Sequence, residues 1–157
     1  MIFGDDVDFF IQFDVLFNNN PYPLGPLNIW IDGRAYPGKD PTVTLTVNVY
    51  NLVEIFFEEI LNHPFKGSNI PLDKLNFDAY EIFEKKVNDQ DLFYWATEGF
   101  WDNGLSLMCE IVGDSLRIFY KQDDELYREK VIPLEYYKNI MIQLDQWLKD
   151  GYPKQNN

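Results

Sequence analysis

The sequence predicts a single α+β domain over residues 1–157, in which a mostly antiparallel sheet of about six strands carries two or three helices packed on one face. Apolar residues alternate with period two in several segments, which is typical of half-buried strands. Other segments place apolar residues at helical spacing, and the order of strands, helices, strands and helix favours helices on one face of a sheet. A length of 157 residues fits one domain.

The first strands are predicted in the N-terminal third of the chain. Alternation from 7 to 17 predicts one strand, and the following run of asparagines and prolines, 18–23, is expected to form a loop. A second strand is predicted at 27–31, ending in the turn signal Asp32-Gly33. A short third strand is predicted at 42–47, where threonines alternate with apolar residues.

Three helices and a meander of strands complete the prediction. Helices are predicted at 48–61 with Asn48 as N-cap, at 77–87, and at 134–148 after Pro133. A loop is predicted at 65–74, and segment 88–104 is the least regular and the most aromatic, with a turn signal at Asn103-Gly104. The meander has predicted strands at 105–111, 116–120 and 125–132. Gly151 ends the last helix, so residues 154–157 are expected to be a disordered tail.

The chain is strongly acidic, with 26 Asp and Glu against 13 Lys and Arg, a net charge of −13. Residues 1–110 carry 18 of the acidic and 6 of the basic side chains, so the negative charge is concentrated there. Such a field attracts basic partners and repels nucleic acid and anionic membranes. We therefore expect a basic protein partner, and neither nucleic acid nor membrane; the alternative is that the acidity serves solubility alone.

The sequence predicts no enzyme, metal site or cofactor. The only histidine, His63, stands at a predicted helix end, and the only cysteine, Cys109, falls on the apolar side of a strand. No glycine-rich phosphate loop is present, and the acids near the N-terminus lack the remainder of a calcium loop. A lone cysteine and the lack of a secretory signal favour a cytoplasmic location.

Two groups of residues are candidates for binding a partner. Trp30 falls on the polar face of its strand, where it is either an interface anchor or packed beneath a helix or loop. Acidic residues near the N-terminus and in 88–104 are candidates for a charged rim. These are Asp5, Asp6, Asp8, Asp89, Asp91, Glu98 and Asp102.

Two alternative functions remain open from the residues alone. Segment 88–104 sets Glu98 and Asp102 among aromatic residues, which suits a carbohydrate-binding module or a glycosidase-like protein, although Trp95 and Trp101 are predicted to belong to the core. An adaptor or DNA mimic would require a regular row of carboxylates along one face.

Several short motifs resemble the immunity protein 42 family, which consists of predicted immunity proteins of bacterial polymorphic toxin systems. They are the opening Met1-Ile2-Phe3-Gly4-Asp5, the strand at 9–15, the run from Ile29 through Asp32-Gly33-Arg34-Ala35-Tyr36-Pro37, and the stretch at 95–102. The doubled Asp5-Asp6 departs from the family's opening, where a proline is expected after the aspartate. The resemblance implies a protein that binds a cognate toxin, such as a basic nuclease, and blocks it without catalysis.

Overall fold

Six antiparallel strands form the first sheet of the computed structural model, which describes residues 1–19, 22–63, 67, 69–78 and 92–151. Its longest strand, β4, pairs with four of the others, β2, β3, β5 and β6, while β1 pairs with β2 at the edge. The strands are β1 Ile2–Asp6, β2 Phe9–Phe13, β3 Phe17–Asn19, β4 Tyr22–Ile31, β5 Arg34–Tyr36 and β6 Thr42–Thr44. The predicted α+β class with a six-stranded antiparallel sheet is confirmed.

A second antiparallel sheet of four strands contains the predicted meander. Its order is β10-β9-β8-β7, where β7 is Phe93–Tyr94, β8 is Leu105–Val112, β9 is Ser115–Gln122 and β10 is Arg128–Pro133. The meander begins and turns where the sequence predicts, and only its last strand begins later than predicted, at Arg128. Strand order alone does not show that the meander forms a sheet of its own, because that depends on long-range pairing.

The N-terminal strands differ from the prediction. The expected strand at 7–17 is divided into β2 and β3, because one extra residue between Phe13 and Phe17 interrupts the pairing with β4. Strand β1 precedes β2, and the chain turns between them at Val7 and Asp8. The expected loop at 18–23 is partly strand, since Asn19 pairs with Tyr22 in a β3–β4 hairpin. Proline is tolerated there because it lies near the start of β4, where few ladder bonds are lost.

Helix α1, Leu45–Glu54, begins three residues earlier than predicted and continues into a π-helical segment, Ile55–Ile60. Thr44 rather than Asn48 is the N-cap residue, so β6 is shorter than predicted. Asn48 is buried inside the helix instead, where its Nδ2 donates to the carbonyl oxygen of Thr44 at 2.9 Å. The alternating Thr and Val residues before it fit a strand and a helix turn equally, which explains the displaced boundary.

The last helix is confirmed, and a short helix lies in the aromatic segment. Helix α2 is Glu98–Trp101 and helix α3 is Leu134–Asp150, which ends at Gly151 in a left-handed conformation. A 3-10 turn, Leu72–Lys74, interrupts the predicted loop at 65–74. The predicted helix at 77–87 falls outside the described residues from 79 onward, as does the predicted tail at 154–157, and Phe77 and Asp78 are not helical. Within the described residues, no helix has the length and apolar character needed to cross a membrane.

The main core joins both sheets to helices α1 and α3. Tyr137 of α3 lies at its centre, with ring centroids 6.0 Å from Phe9, 5.0 Å from Phe56 and 5.2 Å from Trp95. A smaller apolar cluster lies on the other face of the second sheet, around Met108 and Phe119. Both faces of the second sheet are therefore covered, whereas the first sheet keeps one face open to solvent beside Trp30.

Candidate interaction surface

Trp30 is held on the outer face of the first sheet by neighbours on the adjacent strand. Its ring stacks on Phe10 with centroids 5.4 Å apart and an interplanar angle of 12°. Its Nε1 donates a hydrogen bond to Oε1 of Gln12 at 2.8 Å. The ring is partly exposed, and it lines a cavity together with residues of the loop that follows β5. It therefore remains available to a partner in a fixed orientation.

The acidic residues near the N-terminus lie around the β1–β2 hairpin, next to the end of β4. Asp5 and Asp8 are exposed, and Asp6 ends β1 opposite Phe9. The carbonyl oxygen of Asp8 accepts a hydrogen bond from the backbone N–H of Asp32 at 2.9 Å, which ties the hairpin to the Asp32-Gly33 turn. This turn has positive φ at both residues, as a tight hairpin requires.

A cavity of about 810 Å³ opens where the two sheets meet, beside Trp30. Four of the five charged residues of its lining form two ion pairs across the sheets, and the fifth, Asp124, is exposed. Arg34 pairs with Glu125 at 2.9 Å, and Lys39 pairs with Asp123 at 2.8 Å. The hydrogen bond from Lys39 holds the pKa of Asp123 below its usual value. The carboxylates of these two pairs are already occupied by cations of the same chain.

Helix α2 carries the second group of candidate residues on a surface that we call the α2 surface, composed of Tyr94, Glu98, Trp101 and Asp102. Glu98 and Asp102 are exposed. Trp101 is 52% exposed, and its ring edge meets Tyr94 at a centroid distance of 5.7 Å. Burial, with a smaller contribution from Tyr127, raises the pKa of Tyr94 to about 12, so its hydroxyl is neutral at physiological pH.

The short helix is positioned by its neighbours. Thr97 caps it, with Oγ1 accepting from the N–H of Phe100 at 3.4 Å, and Oδ1 of Asn48 accepts from the N–H of Gly99 at 2.9 Å. Gly99 and Phe100 are buried, so the next residue, Trp101, must turn away from the core. The prediction that Trp95 is buried is confirmed, whereas the same prediction for Trp101 is wrong.

Helix α1, which contacts α2 through Asn48, and its π-helical continuation carry further carboxylates. Glu54, Glu58 and Glu59 are exposed, and Tyr50 donates its hydroxyl to Oε1 of Glu54 at 3.0 Å. No Lys or Arg occurs in residues 45–63 or 92–104, which together form these elements. Helical spacing in the sequence places these α1 acids mainly on a face other than the apolar one, but it does not reveal the contact of Asn48 with α2.

The predicted site residues thus fall into two separate places. Asp5, Asp8 and Trp30 lie near the end of the first sheet, whereas Glu98 and Asp102 lie on α2. Asp89 and Asp91 lie outside the described residues. The structure joins α2 to α1 by the Asn48 hydrogen bond, on the side of the first sheet opposite to Trp30.

Elsewhere in the described residues, the side chains of Cys109 and His63 have structural roles. Cys109 is fully buried, and burial raises the pKa of its thiol far above the usual range. The ring of His63 packs edge-on against Phe93 at 4.6 Å. Among the residues that the structure describes, no three His, Cys, Asp or Glu side chains are arranged to hold a metal ion.

Comparison with known proteins gives one family and one similar fold. The model of a family described as immunity protein 42 matches residues 1–147. The crystal structure of CdiI from Burkholderia dolosa AUO158 has a similar fold, with a TM-score of 0.62 and 14% sequence identity. The similarity covers 93% of this chain and 99% of that chain. No curated protein matches the chain.

Proposed function

Because the chain belongs to the immunity protein 42 family, we propose that it binds a cognate toxin domain of a bacterial polymorphic toxin system and blocks its activity. The family match over residues 1–147 is the observation that carries this proposal. Inhibition by binding requires no catalytic residue, metal or cofactor of the inhibitor itself. The buried thiol of Cys109 and the packed ring of His63 agree with that requirement.

The charge of the chain supports a basic toxin, such as a nuclease. At a net charge of −13, the protein attracts a cationic surface over a distance of about 10 Å at moderate salt. A nuclease needs a positive surface to hold its nucleic acid substrate, and an acidic inhibitor can cover that surface. We place this neutralisation in the cytoplasm, where such a substrate is found.

The candidate contact residues are the two groups that the sequence predicts. The first comprises Asp5, Asp6, Asp8 and Trp30, around the end of the first sheet. The second comprises Asp89, Asp91, Glu98 and Asp102, of which Glu98 and Asp102 belong to the α2 surface. Aromatic anchors surrounded by charged residues are common at tight protein interfaces, and each group contains or adjoins one, Trp30 or Trp101.

The direct test uses the toxin domain that we expect the gene upstream of this one to encode. Cells that express this domain should stop growing, and co-expression of the full chain should restore growth. The two proteins, with the toxin carrying an inactivating substitution, should co-purify as a stable complex. Failure of both rescue and co-purification would refute the proposal.

Carbohydrate binding is the second candidate function, and the exposure of Trp101 between Glu98 and Asp102 favours it. Sugar rings stack on exposed aromatic side chains, whereas the fully buried Trp95 is not accessible to them. A glycan-array signal that is lost in Trp101→Ala would support this function. Trp95→Ala would instead report on folding.

A further inference from the structure

We propose that the α2 surface receives an arginine side chain of the toxin, which stacks on the indole ring of Trp101 and pairs with Glu98 or Asp102. The inference rests on the proposed function and deepens it, since it assigns the contact surface and the chemistry of the toxin residue. It does not depend on the reaction that the toxin catalyses.

The indole ring of Trp101 is held by neighbouring residues and is still accessible to a partner. Its edge contact with Tyr94 and its place in the capped α2 restrict the ring, yet 52% of the side chain is exposed. Exposed tryptophans are costly to leave in water, and they are enriched among residues that dominate binding energies. The rigid backbone of α2 means that little entropy is lost when a partner covers the ring.

The carboxylates of the α2 surface are available to an external cation. Trp101 follows Glu98 by three residues and Asp102, the C-cap residue, follows it by four, so both lie next to Glu98 on the helix surface. Within the described residues, neither carboxylate takes part in an ion pair, and no Lys or Arg occurs in residues 92–104.

The ion pairs around the cavity between the sheets make that cavity a less favourable site for a toxin cation than the α2 surface. Around the cavity, Arg34 and Lys39 already occupy the carboxylates of Glu125 and Asp123. A toxin cation that bound either of these carboxylates would have to displace an existing partner, and Asp124 is the one carboxylate of the lining without an ion pair among the described residues. On the α2 surface the same cation meets two exposed acids that have no ion pair among the described residues.

Arginine fits this arrangement better than lysine. Its guanidinium is planar, so it stacks on an indole face while its N–H groups donate to a carboxylate in a forked geometry. The lysine ammonium is a strongly hydrated point charge that cannot make both contacts in the same way. Trp101 and the flanking acids therefore form a receptor for a guanidinium group.

Binding measurements with the upstream toxin domain, carrying an inactivating substitution, test the proposal. Trp101→Ala should weaken the complex by about thirtyfold or more, which is typical of a residue that dominates an interface. Trp101→Phe keeps an aromatic ring, so its loss of binding free energy should be less than half of the loss caused by Trp101→Ala. The double variant Glu98→Gln/Asp102→Asn should weaken the complex about tenfold and reduce its salt dependence.

Two control variants match these changes elsewhere on the surface. Phe17→Ala removes an aromatic side chain of similar exposure, 58%, and Asp114→Asn/Glu135→Gln removes two exposed charges. Both should bind within about threefold of the unmodified protein. Urea unfolding of each variant establishes that the fold is intact, and hydrogen exchange of the unmodified complex should show protection of residues 93–104.

Arginine-to-lysine substitutions in the toxin identify the partner residue. One of them should weaken the complex about tenfold, and its effect should disappear in the Trp101→Ala background, as a double-mutant cycle requires. If the unmodified chain binds the toxin but the α2 variants bind equally well and 93–104 gains no protection, the assigned surface is wrong and the proposed function stands. If the unmodified chain does not bind or rescue, the proposed function itself fails.

Discussion

Oδ1 of Asn48 in α1 accepts a hydrogen bond from the backbone N–H of Gly99 in α2 across 51 residues of sequence, at 2.9 Å. Nδ2 of the same side chain donates to the carbonyl oxygen of Thr44 at 2.9 Å. One buried amide therefore fixes a four-residue helix against a ten-residue helix. The position of the α2 surface depends on this contact, because so short a helix has little stability of its own.

The first prediction concerns this contact. Asn48→Ala should lower the free energy of unfolding by about 1–3 kcal/mol, since it leaves the buried N–H of Gly99 without its acceptor. Gly99→Ala should also destabilise the protein, because a Cβ would lie 2.6 Å from Oδ1 of Asn48 and 2.9 Å from Cγ1 of Val43. Urea unfolding measures both effects. Asn51→Ala, on the same helix, is the control and should change stability by less than about 0.5 kcal/mol.

The second prediction compares a buried ion pair with an exposed one. Nη1 of Arg117 lies 3.0 Å from Oε1 of Glu110 in the interior, and also donates to the carbonyl oxygen of Ile70 at 2.6 Å. Arg117→Met should cost about 3–5 kcal/mol, because the Glu110 charge is left buried without its cation. Lys39→Met breaks an exposed pair and should cost less than about 1 kcal/mol. If Arg117→Met and Lys39→Met lowered the free energy of unfolding equally, the Arg117–Glu110 pair would not behave as a buried ion pair.

The third prediction concerns alkaline pH. The pKa of Tyr94 is raised to about 12 in the folded protein, whereas an unfolded tyrosine titrates near its ordinary pKa of about 10. The unfolded state therefore loses its proton first, and stability should fall as the pH rises from about 10 towards 12. Urea midpoints over this range measure the effect. Tyr94→Phe should show a shallower decline, and an unchanged slope would show that other groups dominate.

The fourth prediction concerns thiol reactivity. Burial of Cys109 and its raised pKa should keep it unreactive towards a thiol reagent at about pH 8 in the folded protein. Reaction should become complete when the protein is unfolded in urea. Time-resolved labelling followed by mass spectrometry measures both states. Rapid labelling without denaturant would mean that the core around Tyr137 opens readily.

The fifth prediction concerns the kinetics of toxin binding. Because the chain carries a net charge of −13, the association rate constant should fall at least about tenfold between low salt and about 0.5 M NaCl. The dissociation rate should change much less, since contacts at the buried centre of an interface are weakly screened. Stopped-flow fluorescence measures the rates, and a salt-independent association rate would argue against electrostatic attraction.

Much of the fold could be predicted because its signals are local. The β8–β9 hairpin has alternating residues on both sides of Gly113-Asp114, and helix α3 repeats its apolar residues over 17 positions. Strand β1 could not be predicted in this way. Ile2 is 61% exposed, and Gly4 has a φ of 108° beside an irregularity in the strand pairing, so no alternation is visible.

The candidate site was less predictable, because it depends on contacts between distant segments. The sequence indicates acids and aromatic residues in 88–104 but not which of them face solvent. Trp95 and Trp101 have similar neighbours in sequence, yet one is fully buried and the other is 52% exposed. Their difference follows from how α2 packs on Asn48, and four helical residues are too few for a periodic pattern to reveal it.

Because α2 depends on Asn48, which is distant in sequence, copying the helix alone does not transfer its binding properties to another molecule. A synthetic peptide that copies residues 97–102 would contain the indole and both carboxylates, but it would lack the amide that orders them. Such a peptide should be a poor mimic of the protein, and a graft into another scaffold would have to bring the turn from Thr44 to Asn48 with it.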